Sequence, residues 1–298
     1  MAYTDSLIGY STITLEDPEP VSYAPTLNAF LDANPCPRVE VLFSAFAPGT
    51  TTVDVYRIAA GRVYMVRGAV KTAVAGALSR IDFEVPFGVP VQYRAEMFDS
   101  AGASLGFTET ATITLDVAET WVHNPLDPQG ATTVAFRKSA LRDIERPIDA
   151  ERVRPSGRTV GVIISGQRRG IEGAVLDVIV DTLEQADRLQ DIVGDYDHRV
   201  TPVICFRIGS ADRIRIPRPF FAGILRFSEQ DQNYAVGYGE KIAFAMVGDE
   251  VAPPTPALVV PLLTRADLNA AFPTRAALNA FFLTRLDANR AYQFAGTA

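Results

Sequence analysis

Residues able to carry proton or metal chemistry are sparse in this chain. Two histidines, His123 and His198, and two cysteines, Cys36 and Cys205, are scattered over 298 residues. Nucleophilic catalysis of the serine type needs an imidazole held as a base beside the nucleophile. His123 stands in a proline-bounded stretch, TWVHNPLDP, and His198 in GDYDHRV, just after a helical pattern. No Gly-x-Ser-x-Gly elbow occurs, and the serine of ISGQRRG reads as part of a strand-ending turn. Asp195, Asp197 and His198 are metal-ligand types, but the loop has neither the spaced oxygen ligands nor the closing glutamate of a calcium loop. The spacings of zinc sites are missing too. Glycoside hydrolysis needs two facing carboxylates, and none of the 35 acidic residues is singled out as one of a pair. GQRRGIEG has neither Walker nor dinucleotide spacing. The chain reads as a non-enzyme without cofactor or metal.

Arginine is the other chemistry-bearing residue. Of 28 basic residues 25 are arginine, a bias that fits protein interfaces and equally fits a GC-rich genome. FRIGSADRIRIPRP carries Arg207, Arg213, Arg215 and Arg218, and two-residue alternation would put Arg213 and Arg215 on one strand face. Three readings fit that face: an anion or sugar-phosphate site, a protein interface, or a solvated strand. The net charge of −7 speaks against nucleic acid as the main partner. Residues 1–37 hold Asp5, Glu16, Asp17, Glu19 and Asp32 with no Lys or Arg, while the C-terminal stretch is mildly basic. Such ends suit head-to-tail contacts between subunits, or are two solvated tails.

The elements that must position these residues are mainly β. After an N-terminal arm, 1–37, short strands rich in Val, Ile, Tyr, Phe and Thr fill 38–117, separated by the turn sequences APGT, AAGR, FGVP and DSAG. Six or seven such strands predict an immunoglobulin-like or fibronectin type III-like sandwich. In VDVYRI the inward set is Val53, Val55 and Ile58, with one slip of phase. Tyr93 falls where such modules often place a tyrosine in the penultimate strand. Residues 118–131 read as a hinge, because Asn124-Pro125 and Asp127-Pro128 force turns. Trp121, the single tryptophan, reads as the packing anchor of the domain junction. Residues 132–248 mix strands, RIRIP among them, with one helix over 183–193. Leu183, Ala186, Leu189, Ile192 and Val193 mark the apolar face of that helix; Thr182 with Gln185 caps its start and Gly194 stops it. A β-sandwich with this one packed helix is expected, a barrel being the other way to close such a sheet.

The order Trp121-x-x-Asn124-Pro125-Leu126-Asp127-Pro128 is followed by Gly157-Arg158, Ser165, Arg168 or Arg169, Gly170, Gly173 and Glu184 through Leu189. This order, over roughly residues 50–247, resembles minor tail proteins of long-tailed phages of actinobacteria. It departs at Gly161, where proline is common, and at Ala174, where the spacing shifts. The resemblance implies a structural role in the virion tail tip and a fold like that of distal tail proteins. It also implies partners that are copies of the chain in a threefold or sixfold ring, and other tail proteins. Assembly would take place in the host cytoplasm.

Beyond a proline-rich linker, 249–263, the tail 264–298 repeats a ten-residue unit. Thr264, Thr274 and Thr284 open the copies. Leu268 with Phe272, and Leu278 with Phe282, lie four apart on one helix face, and Tyr292 repeats the aromatic. Arg265, Arg275 and Arg285 follow the threonines. Ten residues at about 100° each turn successive anchors by about 80°, so one continuous helix would scatter them. Short helices docking on partners are expected, the alternative being a disordered repeat expansion. No apolar run reaches the ~18 residues of a membrane span, and no signal peptide is visible. The rival function is a recognition module for host-surface carbohydrate, with Tyr56, Tyr64 and Tyr93 as candidates for an aromatic platform, of which strand alternation places Tyr93 in the core.

Overall fold

Alternation with a period of two builds the first domain, as in VQYRAEMF, where Val91, Tyr93, Ala95 and Met97 are buried and their neighbours are not. The structure, a computed structural model, describes residues 22–194, 202–231, 241–257, 265–282 and the single residues Ala288, Ala291 and Phe294. The first nine strands are β1 (Thr26–Phe30), β2 (Arg38–Phe43), β3 (Thr52–Ala59), β4 (Arg62–Met65), β5 (Thr72–Ala73), β6 (Leu78–Asp82), β7 (Val91–Phe98), β8 (Ser104–Phe107) and β9 (Ala111–Ile113). They form two antiparallel sheets, β1-β2-β6 and β4-β3-β7-β8, with β5 on β3 and β9 on β7. Val39, Val41 and Phe43 of one sheet meet Val53, Val55 and Tyr93 of the other in one core. The Ala60-Gly61 turn between β3 and β4 has positive φ at both residues, as a two-residue hairpin turn requires.

Three sequence expectations need correction in this domain. The arm does not extend to residue 37, because β1 pairs with β2 throughout Thr26–Phe30 and belongs to the sandwich. Residues 1–21 lie outside the described residues. The phase of β3 does not slip: Val53, Val55, Arg57 and Ala59 face inward and Ile58 is half-buried on the outer side. Tyr64 does not form an open platform with Tyr56, since it packs edge-on to Phe221 of the second domain, while Tyr93 is fully buried as the alternation expects.

The second domain runs through β10 (Thr120–Asn124), β11 (Asp127–Phe136), β12 (Ile148–Val153), β13 (Val162–Arg168), β14 (Ala174–Val175), β15 (Val178–Val180), α1 (Leu183–Val193), β16 (Val203–Arg207), β17 (Phe220–Asp231) and β18 (Ile242–Glu250). The expected sandwich is instead a closed barrel. Strands pair in the order β18-β15-β11-β10-β16-β17, and β17 pairs back with β18. Closure leaves no sheet edge among these six strands. The helix α1 packs across β10 and β11, burying Ala186, Leu189 and Ile192, while Leu183 is exposed. Thr182 accepts from the Gln185 amide, and the Gln185 side chain accepts from Thr182 N–H, which completes the capping box.

The 118–131 stretch is no hinge. It supplies β10 and the start of β11, two neighbouring strands of the barrel wall. Its proline-rich turn is closed by asparagine and aspartate side chains: Asn124 Oδ1 accepts from Leu126 N–H at 2.9 Å and Asp127 Oδ1 from Gln129 N–H at 3.1 Å. The turn chemistry is where the prolines put it, but it reverses a hairpin. RIRIP forms no strand either. Residues 213–216 still alternate, with Ile214 and Ile216 against the barrel core and Arg213 and Arg215 exposed. The linker returns to the sandwich: Arg67 donates to the carbonyls of Pro254 and Thr255, and Gly68 N–H donates to the Pro256 carbonyl.

Candidate functional site

Charged residues concentrate where the barrel meets the sandwich. In β16 every residue is buried: Ile204 and Phe206 face the barrel core, and Val203, Cys205 and Arg207 face the other way. Val203 and Cys205 cluster with Phe221, Tyr64 and Val251, so sandwich and barrel share a small apolar contact. Trp121, across the ladder from Arg207, packs against the sandwich core. Beside this contact lies an ionic network. Arg57 Nη1 is 2.6 Å from Asp82 Oδ1 and its Nη2 is 3.3 Å from Glu84 Oε2; Arg67 Nε reaches Glu84 Oε1 at 2.8 Å. Tyr93 donates its hydroxyl to Asp82 Oδ2 at 2.7 Å. Burial opposes the Arg57 charge, but the carboxylates of Asp82 and Glu84 outweigh it and keep the guanidinium protonated. Burial, and then the Asp82 carboxylate, pushes the Tyr93 phenol well up.

Arg207 is the barrel's contribution. Its Nη1 donates to the Pro37 carbonyl, and its guanidinium lies over the Phe87 ring at 4.7 Å. His123 pairs with Cys205 in the ladder, which puts an imidazole and a thiol side by side in sequence register. This is not an activated pair. Burial pushes the Cys205 thiol well up, and burial, then Arg207, Arg67 and Arg57, pushes the His123 imidazole well down. A catalytic Cys–His pair needs the opposite shifts. Cys36 is also a free, buried thiol, shifted up by burial. These ion pairs lie within the sandwich; the two domains meet through the Arg207 and Arg218 bonds to the Pro37 and Phe87 carbonyls and the Tyr64–Phe221 contact.

Two further features stand outside the two main cores. The first is the ribbon of β12 and β13, whose residues are exposed at every position. Val153 pairs with Val162 and Arg152 with Ile163, and Ile163 and Ile164 are 66% and 62% exposed. Ile148 and Val162 are exposed as well, so aliphatic side chains stand on both faces of a two-stranded ribbon. The sequence signal for this arm, GVIIS, reads as an ordinary buried strand.

The second feature is the repeat tail. Short helices α2 (Arg265–Ala271) and α3 (Arg275–Phe281) form, and Thr274 caps α3 by accepting from Ala277 N–H at 3.1 Å. Leu268, Phe272, Leu278 and Phe282 come together, but against one another and against Ala288, Ala291 and Phe294. The expected docking anchors thus fill a small core of their own. Phe272 contacts Phe281, Phe282 and Phe294 with ring centroids 5.1–5.5 Å apart. Arg265 and Arg275 are exposed. Thr264, Thr284, Arg285 and Tyr292 lie outside the described residues, as do Asp195, Asp197 and His198. Among the described residues, no His/Cys/Asp/Glu group is arranged to hold a metal ion, and no helix is long and apolar enough to cross a membrane.

No known protein family, curated protein or solved structure matches the chain.

Proposed function

We propose that the chain is a structural component of a phage tail tip that assembles as a symmetric oligomer and docks to neighbouring tail proteins. The observation that carries the reading is the β12–β13 ribbon. A lone two-stranded ribbon is marginal in water, and concentrated exposed aliphatics mark a surface that is covered in the working state. A second copy of the chain is the natural cover, because a ribbon projecting from each subunit can clasp the next around a closed ring. The order of domains supports the phage assignment. A sandwich of three strands facing six, with Tyr93 on β7, precedes a barrel with one packed helix, and the Trp121–Pro128 motif begins the barrel, the order that the resemblance to tail proteins leads one to expect. Arg207, Arg218 and the Tyr64–Phe221 contact tie the barrel to the sandwich, which suits a block in a ring or collar. The repeat tail, with its own core and the exposed Phe281, is the piece that would engage a neighbouring tail protein.

Sedimentation velocity on the full chain tests the assembly. One discrete species above monomer is expected, and the double substitution Ile163→Asp, Ile164→Asp is expected to convert it to monomer without lowering the unfolding temperature. Monomer at every concentration, or an oligomer indifferent to the substitutions, would remove the ribbon from the account. Antiserum against the chain should label the tail tip of virions; labelling elsewhere, or none, would sink the virion assignment.

A further inference from the structure

An arginine-lined cleft opens between the two domains on the outer side of the barrel. Its volume is about 560 Å³, and it is lined by Arg62 of β4, Arg146 before β12, Arg168 and Arg169 at the end of β13, Arg215, and Glu250 of β18. A second cleft of about 430 Å³ shares Arg146 and Arg215 with it and adds Arg142 and Arg213. Adjoining through these shared residues, the two clefts make up a trough lined by seven arginines, in a protein whose net charge is −7. Part of this charge is committed. Arg62 Nη1 is 2.7 Å from Glu250 Oε1, and Arg169 pairs with Asp149 at 2.6 Å and Glu172 at 3.4 Å. Arg146 Nη2 donates to the Arg215 carbonyl at 2.7 Å. The guanidinium groups of Arg142, Arg168, Arg213 and Arg215 meet no carboxylate among the described residues. Like charges gathered without counter-charge repel one another, and that repulsion is relieved when an anion enters.

The lining narrows the chemistry of that anion. Guanidinium forks match phosphate oxygens two at a time. Among the described residues, the apolar lining is limited to Ile214, Ile216, Pro217 and the Ala140–Ile144 corner, little to seat the side chains of a protein segment. Among the described residues its lining has no aromatic side chain, and nucleic-acid grooves take bases on aromatic faces. Glu250 is held in place from the opposite side, since its Oε2 accepts from Ile171 N–H at 3.0 Å, so Arg62 is fixed at the mouth.

We propose that this trough binds an extended polyanion of phosphate groups without bases, such as a polyphosphate or a polyol-phosphate chain, across the sandwich–barrel boundary. The inference stands whether or not the chain belongs to a virion. Binding of long-chain inorganic polyphosphate to the full chain, followed by fluorescence anisotropy or calorimetry across a salt series, tests it. Affinity is expected to fall steeply with salt. The double substitution Arg168→Gln, Arg215→Gln is expected to weaken binding about tenfold or more and lower the salt slope by about two, one for each arginine that no longer meets a phosphate. Arg188→Gln on α1, outside the trough, is expected to leave affinity and slope unchanged. Because these arginines are surface residues, unchanged thermal unfolding separates a binding defect from a folding defect. Failure to bind polyphosphate at low salt, or binding that the trough substitutions do not alter, overturns the proposal. So does equal binding of poly-glutamate, which would make the ligand an acidic protein segment, or tighter binding of an oligothymidylate, which would make it nucleic acid.

Discussion

Arg57 and Asp82 form a buried ion pair in the sandwich, with Nη1 and Oδ1 2.6 Å apart and side-chain exposures of 0% and 1%. Arg57 occupies an inward position of β3 that the strand period reserves for an apolar residue, and Asp82, at the end of β6, meets it from the opposite sheet. Removing one partner of such a pair strands the other charge out of water, a loss of about 3–5 kcal/mol. Asp82→Ala should therefore shift the urea midpoint strongly to lower denaturant. Removing Asp82 also takes the acceptor of the Tyr93 hydroxyl, so Asp82→Asn, which keeps the shape and one acceptor, should cost less. Equal costs would mean that the retained shape and acceptor contribute nothing and that the lost charge accounts for the whole effect.

The position of His123 makes stability depend on pH in a defined window. Its folded-state pKa lies well below the ordinary histidine value, through burial first and the nearby Arg207, Arg67 and Arg57 after it. Below about pH 6.5 the unfolded chain takes up a proton on this residue and the folded chain does not, so stability is present above that pH and falls as pH drops. One such group contributes a slope of up to about 1.4 kcal/mol per pH unit. Between about pH 6.5 and 5, where few carboxylates titrate, unfolding curves of the wild type should fall more steeply than those of His123→Gln. Parallel curves would show that His123 takes up its proton in the folded state.

Gly209 tests how tightly the barrel closes on the junction. A Cβ there would stand 2.0 Å from the Ala118 carbonyl oxygen and 2.8 Å from the carbonyl carbons of Ala118 and Glu119, all of them backbone atoms. Gly209 N–H also donates to Thr120 Oγ1 at 2.9 Å, and that hydroxyl donates in turn to Asp212 Oδ2 at 2.7 Å. Gly209→Ala should cost about 3 kcal/mol or more, as overpacking against immovable backbone does. Gly102→Ala is a comparison without a clash, because nothing lies within 4 Å, although its φ of +81° carries a strain of its own. Chemical denaturation of the two variants gives the order directly.

Features carried by neighbours along the chain were legible without coordinates. Most strands of both domains follow from β-branched and aromatic runs between turn residues, β1 and β10 being exceptions read as arm and hinge, and α1 follows from Thr182, Gln185 and Gly194, all within one local segment. A helix begins at Arg275 behind its capping Thr274, and another begins one repeat earlier at Arg265. Local propensity and capping act over a few residues, so a sequence contains them whole.

Tertiary structure decided the rest. A six-strand set closes into a barrel or stacks as a sandwich according to whether its first and last strands meet, and β17 meeting β18 is a long-range event. The prolines of NPLDP determine a turn, but only the pairing of β10 with β11 makes that turn a hairpin. GVIIS is as apolar as a buried strand, and it is exposed because its only sheet partner among the described residues is β12. Arg57 goes inside, against the hydrophobic pattern, because Asp82 and Glu84 meet it there. Arg62, Arg168 and Arg215, from three separate stretches, become one surface only where sandwich and barrel touch. Composition and period determine which elements form. Which charges face each other depends on how distant segments pack, since Coulomb and desolvation terms depend on distances that one-dimensional order does not contain.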